Sequence, residues 1–375
     1  MEEPSIYPLR KIQSKEGLVC TSENTYYFIQ PDGLFSIPDR RLMAAFPEPA
    51  TPLFTFMNEN PALYIEKCEN TYLYVSEYIE GTPVTLFYDD RRRQWEMVTH
   101  FAVGGDHYFR DPDDEDDLLS FYDLFLDVFG LRGQSLGDVD LFTNLPKTHC
   151  YHFVLQHPAI KKLQRIDRPA LYLVGVYDIH PDGHATRIPA VVYETWDVLQ
   201  KPAVIFPRRI LTTGETYVSL QSKYASILTH VMVVGILIEN IHTGKRAIMK
   251  NPIYEGIRKI LEAYPDEYNH THLFYRFLEL HKGGHLTDYL VCCPDDESQF
   301  AQFYRGFNDY VDQIESAYVN WYIVKTDELV SPRYKYHIRR LYTDFRDRLT
   351  KEDVRAYLLR LPKEELAYFL LPATP

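Results

Sequence analysis

Glycine is scarce in this sequence, 17 of 375 residues, and the five cysteines (Cys20, Cys68, Cys150, Cys292, Cys293) are an odd number without C-x-x-C spacing. That pattern excludes a disulfide framework and a zinc ribbon, and reduced, mostly buried thiols are expected instead. Long apolar runs are missing too. The longest, Val231 to Ile238, is interrupted by Gly235 and is far short of the roughly 20 residues that span a bilayer. The opening Met1-Glu2-Glu3-Pro4 has neither the positive region nor the apolar stretch of a signal peptide, so an intracellular, membrane-free product is expected. Positive charge is in deficit: 40 Lys and Arg against 53 Asp and Glu leave a net charge of -13, which argues against coating nucleic acid through the overall field. There is no internal repeat, no low-complexity segment, and nothing resembling G-x-S-x-G, a Walker loop or a dinucleotide fingerprint.

What the chain does have is 45% hydrophobic residues, enough for real cores in two or three domains, and an aromatic content of 14% with 30 Tyr and 21 Phe. Tyrosine on this scale favours extended segments and surfaces that are apolar yet able to hydrogen-bond. Through residue 100 the pattern predicts strands at Tyr26–Ile29, before the turn Pro31-Asp32-Gly33, then at Tyr72–Val75 and Val84–Tyr88. Asp89-Asp90-Arg91-Arg92-Arg93 forms the charged tip of a hairpin returning through Trp95–Thr99. Asp111 to Asp117 holds six acidic residues in seven and leads into a 3/4-spaced apolar helix from Leu118 to Phe129, ending at Gly130. Its spacing matches no calcium loop.

Strands return at Tyr151–Gln156, Leu171–Ile179, Pro189–Tyr193 and Val231–Glu239, with turns at Pro181-Asp182-Gly183 and His242-Thr243-Gly244. From Ile253 the period becomes helical, through Ile257, Ile260 and Leu261, Phe274, Phe277 and Leu278, and Phe303, Phe307, Tyr310, Val311 and Ile314. The expected class is α+β: an antiparallel β-rich domain followed by an all-α C-terminal domain. Residues 1–60 are expected to be a β-rich extension of the first domain, 61–250 its body and 251–375 the helical domain.

The 14 histidines suggest no metal site. His149 and His152 fall on one strand at a spacing that alternates faces, with His157 just beyond it. His281 and His285 are four apart on a predicted helix, but Gly283-Gly284 lies between them and no acidic residue completes a metalloprotease motif.

One constellation stands out by its order along the chain. Tyr78-Ile79-Glu80-Gly81-Thr82 ends a strand and starts another, Trp95 and Thr99 lie on a third, and Tyr151 to Pro158 and Leu171 to Asp178 follow. Then come Val233-Val234-Gly235-Ile236-Leu237-Ile238 and Gly244-Lys245-Arg246, with Lys250-Asn251-Pro252 and Tyr254 close behind. From about Tyr72 to Tyr254 this series resembles the covalent nucleotidyltransferases, and within them the phage-type RNA ligases and related proteins of large DNA viruses. The resemblance implies a nucleotidyltransferase-like first domain. In that family a lysine in K-x-[DE]-G attacks the nucleotide α-phosphate and a later strand-borne glutamate holds the ribose. An E-G-φ-V strand supplies a further carboxylate, and a K-x-K pair binds phosphate.

The departures decide the expectation. Tyr78 stands where the family has its nucleophilic lysine, while Glu80 and Gly81 remain. Val154 and Val234 replace the two glutamates. In the K-x-K pair the first position is Ile248, and only Lys250 survives, alongside Lys245 and Arg246. A phenol cannot form the lysyl phosphoramidate this chemistry needs. The nearest upstream lysine, Lys67 in Glu66-Lys67-Cys68-Glu69-Asn70, lacks the glycine that should follow. The resemblance therefore implies a catalytically inactive relative with no cofactor and no metal, and with these eight positions (78, 80, 81, 154, 234, 245, 246 and 250) as a vestigial pocket. A Y-E-G-T-like motif in place of the lysine motif further implies a viral protein in the host cytoplasm or virion, with other viral proteins as partners. The rival reading, an active ligase or capping-type enzyme with a relocated nucleophile, rests on the retained Glu80, Gly81, Lys245, Arg246 and Lys250.

The tail differs in charge. Residues 331–363 hold ten basic residues, among them Arg339, Arg340, Arg346 and Arg348, against four acidic ones, a local +6 interleaved with Tyr334, Tyr336, Tyr342, Phe345 and Tyr357. Such a segment either contacts nucleic acid or is an amphipathic helix with solvated arginines. Thr350 with Asp353 marks a helix start, and Leu366, Phe369, Leu370 and Leu371 form a last helix that docks on its own domain or on a partner.

Overall fold

The computed structural model describes residues 50–61, 73–90, 92–99, 104–105, 119–160, 163–181, 184–212, 214–265, 269–326 and 330–371, without the Asp347 side chain; before residue 50 it describes the backbone of five strands alone. The turn at 31–33, Lys67, Cys68, Arg91, the acidic run 111–117 and the tip at 182–183 lie outside the described residues. Two compact units result: residues 1–229 with 233–251, and residues 230–232 with 252–375.

Among the described residues the first unit holds three sheets. An antiparallel meander joins β1 (Ile12–Ser14), β2 (Gly17–Ser22), β3 (Thr25–Ile29), β4 (Leu34–Ser36) and β5 (Leu42–Ala45). After helix α1 (Leu53–Glu59) come β6 (Leu73–Glu77), β7 (Thr82–Asp89) and β8 (Gln94–Val98), then helices α2 (Phe121–Asp127) and α3 (Asp140–Thr143). β9 (His149–Gln156), β10 (Ala170–Ile179) and β11 (Ala185–Ile188) follow, then α4 (Ala190–Tyr193), β12 (Val204–Ile205), α5 (Tyr217–Tyr224), β13 (Gly235–Asn240) and β14 (Arg246–Lys250). The large sheet runs β11-β10-β9-β7-β8, with β12 parallel to β10 at its side, and the small sheet runs β14-β13-β6.

Strand alternation sorts each sheet into an apolar and a polar face. On the large sheet Val84, Leu86, Trp95, Met97, Tyr151, Phe153, Leu155, Leu171 and Leu173 pack with Phe125 and Phe142 from α2 and α3. On the small sheet Leu73, Val75, Ile236, Ile238, Ala247 and Met249 pack with Phe56 of α1 and with Tyr217 and Leu220 of α5. The alternate residues, among them Thr85, His152, Tyr177, Glu239 and Arg246, are left to the opposite faces.

The second unit is helical: α6 (Pro252–Ala263), α7 (His270–Gly283), α8 (Leu286–Cys292), α9 (Glu297–Tyr318), α10 (Pro332–Phe345), α11 (Lys351–Arg360) and α12 (Lys363–Leu370). A π-helical turn, Val319–Val324, extends α9. Phe300, Phe303, Phe307, Tyr310, Val311, Ile314 and Tyr318 form the buried stripe of α9. Thr350 caps α11 in a reciprocal box with Asp353. Among the described residues no helix is long and apolar enough to cross a membrane.

Four sequence expectations change. Pro189–Tyr193 is not a strand: Ala190 and Tyr193, three apart, form the buried pair of α4, because Pro189 removes a ladder donor and opens a helical turn. The run from Val231 becomes a strand only at Gly235. His281 and His285 do not share a helix, since Gly284 ends α7 in the left-handed conformation (φ 72°) and His285 caps α8. The helix expected from Leu118 starts at Phe121, where Ser120 and Asp123 cap it reciprocally.

Candidate functional site

The two motif ends meet at one end of the small sheet. β6 finishes at Glu77, and the Tyr78 N–H then donates to the Gly235 carbonyl at 3.0 Å, while Gly235 pairs across β13 with Lys250. Gly235 has φ 151°, and a Cβ there would lie 2.3 Å from the Met249 carbonyl oxygen, so only glycine fits. Val234 is buried, its carbonyl accepts the Asn251 N–H at 3.0 Å, and the fully buried Asn251 amide donates to Val233 at 2.9 Å.

The chain next crosses to the large sheet. Thr82 pairs with Leu155, and Gly81 lies so tightly on β9 that a Cβ would stand 2.6 Å from Val154 Cγ1 and 2.6 Å from the Leu155 oxygen. Close packing on Val154 therefore explains the glycine without any catalytic demand. The Gln156 amide donates to the Glu80 carbonyl at 2.8 Å. Arg246 opens β14 on the face opposite Ala247 and Met249, near enough to feel the Tyr78 phenol electrostatically. Tyr78, Glu80, Gly81, Val154, Val234, Arg246 and Lys250 are thus brought together. Lys245 is not: its Nζ sits 3.0 and 3.1 Å from the Glu59 carboxylate on the exposed rim.

Behind these positions lies a buried charge cluster. Arg187 of β11 makes an ion pair with Glu239 of β13, tying the large sheet to the small one, and donates to the Tyr177 hydroxyl at 3.2 Å. Burial raises the Glu239 carboxyl above its ordinary range, with Arg187 and then Arg246 opposing that shift. Burial and then Arg187 pull Arg246 below the usual guanidinium range. Burial raises the neighbouring Tyr177 and Tyr193 phenols. The inner face is further closed by Tyr74, whose hydroxyl donates to Glu194 at 2.5 Å, and by His152, bonded to the Thr85 hydroxyl at 2.7 Å. The signals for this cluster were single charges in otherwise apolar strands, Arg187 before Ile188 and Glu239 after Ile238. Neither belongs to the motif series, so the sequence reading passed over both.

Among the described residues no group of three or more His, Cys, Asp or Glu side chains is placed to hold a metal ion. His149 meets Asp178 at 3.2 Å, which His180 also approaches at 3.9 Å, and His157 meets Asp127 at 3.0 Å.

Arg339, Arg340, Arg346 and Arg348 are all exposed in the second unit, on α10 and the turn after it. The basic segment 331–363 is not one surface. Lys351 pairs with Asp312, Arg355 with Glu352 at 2.8 Å, and Lys363 with the Tyr264 hydroxyl at 2.6 Å. The terminal helix docks within its own unit, where Phe369 stacks on Tyr310 and meets His337 edge to face.

No protein-family model matches the chain, and no curated protein matches it. Its neighbours among solved structures are ATP-dependent RNA and DNA ligases. An archaeal ATP-dependent RNA ligase is similar at 9% identity and TM-score 0.44, over 92% of each chain. A putative ATP-dependent DNA ligase from Aquifex aeolicus is similar at 12% identity and TM-score 0.39, over 80% of this chain and 77% of that one. A Naegleria gruberi RNA ligase mutant with AMP and Mn is similar at 12% identity and TM-score 0.33, over 48% of this chain and 50% of that one. The chain thus spans about half the length of the Naegleria structure it matches.

Proposed function

We propose that this chain is a catalytically inactive RNA ligase-like protein that acts as a structural or interaction component of a viral assembly or of viral nucleic-acid processing. The observation that carries the reading is what stands where the motif positions converge: a phenol at Tyr78 and apolar side chains at Val154 and Val234. The buried carboxylate nearby, Glu239, is committed to Arg187. A buried carboxylate held in an ion pair between two sheets contributes to architecture, and freeing it to bind metal or ribose would leave Arg187 uncompensated. The viral assignment is supported by the Y-E-G-T-like motif at Tyr78–Thr82.

Covalent labelling tests the inactivity. The purified chain is incubated with labelled ATP or GTP and Mg²⁺ or Mn²⁺, denatured, and examined for bound label; none is expected. A label that survives denaturation and disappears when one lysine, such as Lys250 or Lys67, becomes alanine would overturn the proposal and establish a relocated nucleophile.

A further inference from the structure

The cations of the second unit fall into two groups. Lys351 and Arg355 of α11 each have a carboxylate partner. Arg333, Lys335, Arg339, Arg340, Arg346 and Arg348 have none among the described residues, and the last four are exposed, Arg340 donating to the Tyr336 hydroxyl at 2.6 Å. Helix-end electrostatics accounts for Arg346 and Arg348 at the C-terminus of α10. It does not account for Arg333 and Lys335 in the first turn, where positive charge is disfavoured.

Aromatic rings lie among these cations and are exposed too: Trp321 by 41%, Tyr336 by 43% and Tyr342 by 38%. The Lys335 ammonium sits 5.5 Å from the Trp321 ring centre, and Arg340 lies 4.8 Å over Tyr336. Tyr342 stacks face to face on Tyr322 at 3.9 Å, which fixes its plane and leaves its other side outward. The buried line of α10 runs through His337, Ile338 and Leu341. Lys335, Arg339 and Tyr342, spaced four and three, therefore make one outward line on α10, with Lys335 and Tyr342 roughly 10 Å apart along the axis, and the exposed Arg346 stands just beyond the helix end. Trp321 is presented by the π-helical turn, none of whose residues is buried. Such turns are common at functional sites. Asn320 and Tyr334, the sequence neighbours of Trp321 and Lys335, line an open groove of about 460 Å³ with Gln313, Ser331 and Asp312, the last already paired with Lys351.

We propose that this strip binds single-stranded nucleic acid, with phosphates on Lys335, Arg339 and Arg346 and bases stacked on Trp321 and the outward side of Tyr342. Unpaired cations alone would serve any polyanion. Flat, exposed rings held between them favour a strand whose bases are free to stack over a duplex or an acidic peptide. Against the chain's net charge of -13, attraction of a polyanion needs a local cluster of cations such as this one. The inference is independent of whether the first unit is catalytically dead, since covalent labelling reads one and strand binding the other.

The test is fluorescence anisotropy of a labelled oligouridine against the full chain over a salt series. Binding should weaken steeply with salt, and Lys335→Ala with Arg339→Ala should shallow the log–log slope by about 1.4, the amount for two phosphate contacts on a single strand. Trp321→Ala should cost about fivefold or more in affinity. Arg355→Ala, which removes a paired cation, should change affinity less than about twofold. None of the four substituted residues is buried, and circular dichroism verifies the fold of all three variants. Absence of binding at low salt, indifference to the Lys335/Arg339 pair, or equal competition by duplex DNA or polyglutamate with no effect of Trp321→Ala would each overturn the proposal.

Discussion

The two units handle charge in opposite ways. In the β-rich unit the charges beside the motif positions are largely held by other charges of the same unit: Arg187 holds Glu239 and Tyr177, and even the exposed Lys245 is tied to Glu59. In the helical unit α10 carries cations that face water, beside exposed rings, with no carboxylate among the described residues to meet them. Charge inside a fold has to be compensated by the fold, whereas charge left outside is open to a ligand. On the proposed reading, the first unit serves architecture and the second recognition.

The largest expected break in that contrast comes from Glu239. Glu239→Ala leaves Arg187 buried without its partner, next to Arg246, and should destabilise the protein by about 3–5 kcal/mol in urea unfolding. Replacing both partners, Arg187→Met with Glu239→Leu, should cost much less, because no charge is stranded. Lys335→Ala with Arg339→Ala removes as much formal charge as any buried substitution, yet should stay within about 0.5 kcal/mol of the parent. Equal costs for the buried and exposed substitutions would erase the distinction between the units.

A smaller effect follows from His337, fully buried, with Nδ1 3.1 Å from the Tyr357 hydroxyl. Burial, and then Arg340 and Arg333, push the imidazole down to about 4. The folded state thus keeps His337 neutral through a range where the unfolded chain binds a proton, so stability should fall as pH drops from about 6.5 towards 4. Between pH 7 and 5 the loss should be on the order of 2 kcal/mol, read from urea midpoints. His337→Gln should flatten that slope in part, since burial lowers His281 in the same direction. A pH-independent midpoint would remove the argument.

Much of the fold was legible because alternation and helical period are local signals. The α9 stripe from Phe303 to Ile314, the β7–β8 hairpin and the Thr350 cap were read from spacing alone and are present. Errors came where two periods compete over few residues: Pro189–Tyr193 has strand-like composition, but a proline start and a buried pair three apart make it helical. The motif positions were readable as a series, and most converge. The Arg187–Glu239 pair was not readable, because β11 and β13 are joined only by the tertiary fold and neither residue has a local partner in sequence. The exposure of Trp321 was equally hidden, since the helical spacing read in the sequence stops at Ile314, and only the π-helical turn shows which side chains are turned outward.

The division of roles is tested most directly by photo-crosslinking the full chain to a photoreactive oligouridine and locating the modified peptides by mass spectrometry. Crosslinks concentrated on Trp321 and Tyr342, and lost with Lys335→Ala and Arg339→Ala, are the predicted result. Crosslinks at Tyr78–Gly81, Val154 or Arg246 instead would place recognition in the first unit and contradict the account.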